Sequence, residues 1–144
     1  MSTPKAPLRQ LLIERSDWME AQVMEGARRH GYGEVTTAMN RLFAHLRGRP
    51  VGLSELARKL AVSRQAVHQL ANEAARLGLV EFVRCEADGR VKLLRFTQKG
   101  WTMSEHAARV FEAIEAELAR QIGAQDLAEL KRILARPWSP DEDR

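Results

Sequence analysis

Four side chains suited to reading a nucleic acid follow Ser63 in close succession: Arg64, Gln65, His68 and Gln69. On a helix these positions share one side. Arginine and glutamine there supply bidentate donors and acceptors that match guanine and adenine edges, each good pair giving about 1–3 kcal/mol of discrimination. Ser63 has the position of an N-cap, and the free amides after it offer a phosphate site at a helix N-terminus. A second feature lies downstream, in the run Glu86-Ala87-Asp88-Gly89-Arg90. Arg90 at the end of a projecting loop can enter a minor groove, where narrow A·T-rich DNA concentrates negative potential. Asp88 can hold that guanidinium by charge-assisted hydrogen bonds, or serve only as a favoured turn residue. Lys92, just past the tip, belongs to the same candidate surface.

Other chemistries have no residues behind them. No Gly-x-Ser-x-Gly motif, P-loop, paired-glycine phosphate loop or Cys/His arrangement occurs, so no catalytic residue is assigned and the chain reads as no enzyme. Glu112, Glu115 and Glu117 fall on the outer part of a helix with a complete apolar stripe, the pattern of a solvated face. His30, His45 and His106 sit on different elements without ligand spacing, so neither metal nor cofactor is expected. His68 reads either as a DNA contact or as a solvated helix residue. The lone cysteine, Cys85, excludes an internal disulfide and a cysteine-rich zinc ribbon, and reads as an inert strand residue.

The elements that must position these residues follow from hydrophobic spacing. A first helix is predicted from Leu8 to Arg29, with Leu8, Leu12, Met19, Val23 and Ala27 inward. A second runs from Thr36 to Leu46, with Met39, Leu42, Phe43 and Leu46 on one face. A short third helix spans Leu53 to Leu60. After a three- or four-residue turn, the helix opened by Ser63 runs to Leu77 and closes at Gly78, a residue suited to a left-handed cap. Val67, Leu70, Ala71, Ala74 and Leu77 form its inner stripe. Two such helices with a short turn are the helix-turn-helix pattern, whose second helix enters the major groove. Two apolar, β-branched runs follow, Leu79–Cys85 and Val91–Phe96, with Asp88-Gly89 between them as a hairpin signal. Thr97 caps a long helix to about Gln121, and a last helix covers Ala124 to Ala135. Pro137 stops it, leaving a frayed acidic tail.

At 144 residues, 44% hydrophobic and 29% charged, the chain can bury one core, and wholesale disorder is excluded. No apolar run spans a bilayer and the polar start is no signal peptide, so a cytoplasmic protein without a membrane partner is expected. Residues 51–100 carry 9 Lys/Arg against 5 Asp/Glu, whereas residues 101–144 carry 6 against 9. A basic middle fits a polyanion; it also fits an ordinary solvated surface.

The stretch from Val51 to Gly100 resembles the winged helix of the MarR family of transcriptional regulators. The matching marks are SELA, Ser63 opening the recognition helix, LGLVE after it, DGR at the wing tip and FTQKG at the start of the next helix. The helices before and after match that family's layout more loosely. The resemblance implies an obligate homodimer joined through its terminal helices, binding a palindromic operator and commonly released by a small ligand or by oxidation. Three positions depart from the pattern. Ala61 stands where glycine is common: either it is left-handed, at about 1–2 kcal/mol, or the turn differs slightly. Phe82 replaces a frequent basic residue, removing one phosphate contact. Cys85 lies on the wing, not in the first helix where the oxidation-sensing branch has its cysteine.

The expected fold is thus α+β, mostly helical: a single domain over residues 1–144, with a winged helix-turn-helix at 34–100, helical dimerisation parts at 1–33 and 101–136, and a tail at 137–144. The expected function is a homodimeric, sequence-specific DNA-binding transcriptional regulator, a repressor. Trp18, Tyr32, Phe43 and Trp101 are a candidate effector crevice or plain core. The rival reading is a winged-helix protein-interaction module without specific DNA binding.

Overall fold

The computed structural model describes residues 2–139, so residues 140–144 of the tail lie outside it. Six helices and a small sheet follow in the order α1 (Leu8–Arg29), α2 (Thr37–Phe43), β1 (Val51–Gly52), α3 (Leu53–Leu60), α4 (Arg64–Arg76), β2 (Val80–Arg84), β3 (Lys92–Phe96), α5 (Gln98–Ile122) and α6 (Ala124–Ala135). The mostly helical α+β winged helix-turn-helix read from the sequence is the fold observed. No described helix is long and apolar enough to cross a membrane.

Local chemistry starts and stops these helices. Thr36, Ser63 and Thr97 each accept a hydrogen bond from the backbone N–H three residues on, at 3.2, 3.0 and 3.1 Å. Gly78 ends α4 with φ +77°, a conformation glycine takes without a Cβ penalty. Ala61 ends α3 in the left-handed region at φ 55°, ψ 43°; its N–H donates to Arg58 O and that of Val62 to Ala57 O. The predicted second helix ran to Leu46, but α2 stops at Phe43. Just past it, the amides of His45 and Leu46 donate to carbonyls three residues back, which tightens the turn and brings Leu46 into the core.

The core lies under the winged helix. Leu42, Leu46, Val51, Leu56, Val67, Ala71, Leu79 and Leu94 are all buried. β3 is central, flanked by β1 and β2 in the order β1-β3-β2, all antiparallel. The two-residue β1, absent from the sequence expectation, is too short for a periodic signal; it pairs Val51 with Leu94 and Gly52 with Leu93. Outside this core, α1 packs along α5, and α6 folds back on α5. Val23 is the single buried residue of α1, and α6 buries none.

Candidate nucleic-acid interface

The inner stripe of α4 fixes which side faces out. Val67, Ala71 and Ala74 are buried against α2, α3 and β2, so Arg64, Gln65, His68, Gln69 and Asn72 are exposed. Ser63 Oγ is engaged with Ala66 N, which leaves the amides of Arg64 and Gln65 at the open end of α4. Arg64 has no ion-pair partner among the described residues. His68 Nδ1 lies 3.0 Å from Asn72 Nδ2.

β2 and β3 form the wing beside this row. Their loop is longer than a two-residue hairpin. Cys85 N donates to Val91 O at 3.0 Å, and Val91 N to Asp88 O at 3.0 Å, closing a turn in which Asp88 is the first residue and Gly89 and Arg90 are central. Of the two roles open to Asp88, the structure displays the turn: its Oδ1 accepts from the backbone N–H of Arg90 at 3.0 Å. The guanidinium of Arg90 is exposed and has no ion-pair partner among the described residues. Lys92, also exposed, places Nζ 5.9 Å from the ring centroid of Phe82. On the opposite face of the ribbon, Arg95 pairs with Glu81 at 2.9 Å, directly across the strands. Half-buried Cys85 lies one residue beyond β2.

A cleft of about 430 Å³ opens between α1, α2 and α5. Met19, Val23, Phe43, Met103, Val110 and Phe111 give it apolar walls, with Arg41, Arg47, His30 and His106 among its polar groups. Of the four aromatic candidates, only Phe43 lines it. On α1 the lining follows 16, 19, 20, 23, 26, 27 and 30, and Trp18 falls off that helical stripe and is 45% exposed. Trp101 packs edge-on to Phe96 at 5.1 Å, and Tyr32 lines a separate shallow depression. His30 and His106 meet with their ring centroids 4.3 Å apart, a contact with no signal in the spacing because only the packing of α1 on α5 joins them. Among the described residues no group of three His, Cys, Asp or Glu could hold a metal ion.

Two carboxylates of α5 are tied to surface cations. Glu115 meets Lys131 of α6 at 2.9 Å. Hydrogen bonds from Arg120 and then Gln121 hold the Glu117 carboxyl below the usual glutamate value.

Comparisons place this geometry among known proteins. No curated protein sequence matches the chain. Residues 41–91, from within α2 through the wing tip, match the sequence model of the MarR family. Wild-type MarR from E. coli superposes with a TM-score of 0.71 at 21% identity, covering 91% of this chain and 96% of that one. A MepR variant from a multidrug-resistant S. aureus clinical isolate gives 0.75 at 17% identity, with 91% and 94% covered. FabT of Streptococcus pneumoniae, solved in complex with DNA, gives 0.68 at 22% identity, with 88% and 90% covered. The winged-helix segment therefore carries the sequence signature of the MarR family, and the chain as a whole has the MarR-type winged helix-turn-helix fold.

Proposed function

We propose that the protein is a sequence-specific DNA-binding transcriptional regulator that represses from a palindromic operator as a homodimer. The observation that carries this reading is the row Arg64, Gln65, His68 and Gln69, held out by the buried stripe of α4 beside a wing whose Arg90 guanidinium is free among the described residues. The row supplies base-edge donors and acceptors, while the amides that open α4, Lys92 and Arg90 supply the sequence-independent contacts. The similarity to FabT, solved with DNA, supports the same reading.

Dimerisation is supported by apolar surface. Trp18, Phe111, Ile122, Leu130, Ile133 and Leu134 of α1, α5 and α6 are each 42–45% exposed. A twelve-residue amphipathic helix with no buried residue needs a partner surface, and a second copy supplies it symmetrically. Two α4 helices then enter successive major grooves about 34–36 Å apart, with the Arg90 wings on the flanking minor grooves. The cleft joins the α1–α5 pair to α2 of the winged helix, so a small molecule seated there can favour dimers whose α4 spacing fits or misfits the operator.

Selection of bound duplexes from a random library at fixed salt tests the reading. A two-fold-symmetric consensus is expected. Sequence-blind, weak capture would favour the winged helix as a protein-interaction module.

A further inference from the structure

Phe82 stands on the face of the β2–β3 ribbon that also carries Lys92 and Leu94, because opposed residues of an antiparallel pair project to the same side. At the base of the ribbon this face is core, with Val80 and Phe96 buried; on the next rung Leu94, directly opposite Phe82, is fully buried. Toward the tip the core ends, and half-buried Phe82 is the last apolar side chain of β2 on that face. Its ring centroid lies 5.8 Å from that of His68, the planes inclined by 30°. Lys92 Nζ lies 5.9 Å from the same centroid. His68 is held from a second direction by Asn72, whose amide nitrogen is 3.0 Å from Nδ1. In the tautomer with Nδ1 accepting from that amide, Nε2 carries the ring proton and is the nitrogen left for a DNA contact.

We propose that Phe82 is a positioning residue whose ring fixes the His68 imidazole of the recognition helix and the Lys92 ammonium of the wing about one aromatic plane. His68 Nε2–H then donates to an acceptor on a base edge, a purine N7, guanine O6 or thymine O4, while Lys92 meets a phosphate of the same half-site. The inference rests on the DNA-binding reading above. A basic residue at position 82 would add one phosphate contact but would repel Lys92 and leave His68 unstacked. The phenyl ring orders both groups before DNA arrives, so less side-chain freedom is lost on binding.

The test uses the full chain and a duplex bearing the consensus that wild-type protein selects. Phe82→Leu keeps an apolar group over the core and removes the ring; it binds that duplex about five- to tenfold more weakly, and Phe82→Tyr restores wild-type affinity. His68→Ala loses far less affinity in the Phe82→Leu background than in wild type. NMR of the free wild-type protein needs no DNA and no variant: nuclear Overhauser contacts between the His68 and Phe82 rings are expected. Additive effects of the two substitutions, or absent ring-to-ring contacts, overturn the positioning role and leave the DNA reading standing. A wild-type protein that selects no consensus overturns the DNA reading, and this inference with it.

Discussion

The backbone of Gly100 in α5 lies so close to that of Leu79 that a Cβ on Gly100 would sit 2.0 Å from the Leu79 carbonyl oxygen. That oxygen also accepts from Thr97 N at 3.1 Å, and Thr97 Oγ1 donates to Gly78 O. The end of α4 and the start of α5 are thereby locked together. Gly100→Ala must push them apart, because the clash is with backbone. The expected cost is at the upper end of overpacking penalties, about 3 kcal/mol or more, read as a lower urea midpoint with an unchanged slope.

Ala61 holds φ 55° with its methyl group exposed, so the strain there has no packing return. Ala61→Gly removes a left-handed penalty of about 1–2 kcal/mol and adds about 0.4–1 kcal/mol of unfolded-state entropy. A net gain of about 0.5–1 kcal/mol is expected in urea unfolding; a loss would show that the turn is not left-handed in solution.

These two residues also mark how far the sequence could be read. The Ala61 alternatives were visible because helix-turn-helix spacing isolates that position. The Gly100 contact was not, since it depends on two segments about twenty residues apart meeting in space. Helix limits at Leu8, Leu53 and Leu60 and caps at Ser63 and Thr97 were legible because they rest on local hydrogen bonding and 3.6-residue periodicity. The outward row of α4 was legible for the same reason: one buried stripe determines the other side. The cleft was not, because Phe111, His106 and Arg41 meet Val23 only through the packing of α1, α2 and α5. The Asp-Gly signal located the wing, yet the turn places Asp88 first, and Gly89 does not use positive φ.

Arg49 donates to Glu55 Oε1 at 2.9 Å, joining the loop before β1 to the first turn of α3. This hydrogen bond is the main reason that the Glu55 carboxyl lies below the ordinary glutamate value of 4.5. A lowered folded-state value means the stabilisation is present above the unfolded value and is lost as pH falls through the folded one. Arg49→Ala should therefore cost about 0.2–1 kcal/mol at pH 7, the range of exposed ion pairs. Thermal melts of the variant and wild type should converge as pH drops below the folded value; a gap that persists there would mean Arg49 acts by packing.

Arg90 sits at the wing tip, where among the described residues only its backbone N–H is engaged, by Asp88. Its removal should leave folding untouched and weaken binding to a selected duplex. If the guanidinium meets phosphate or the minor-groove potential, Arg90→Ala lowers the slope of log K against log salt by about one. Gln65→Ala should behave differently, with an unchanged slope and a relaxed preference at one position per half-site. Titrations at two salt concentrations separate the two, and an identical slope for Arg90→Ala would remove the wing tip from the interface.

The dimer prediction is best tested on α6, which contributes nothing buried to the monomer. Ile133 is 43% exposed, and its neighbours Leu130 and Leu134 are 45% and 42% exposed. Ile133→Asp places a charge in an apolar interface if two copies meet there, yet in a lone chain it falls on a side chain that solvent already reaches. The expected result is a shift to monomer mass in light scattering with the melting of the winged-helix core little changed. Operator affinity should fall by about 10²–10⁴, the loss expected when two linked half-site contacts become one. A dimer of undiminished mass would move the interface away from α6, and full affinity in a monomer would mean that one winged helix suffices for the site.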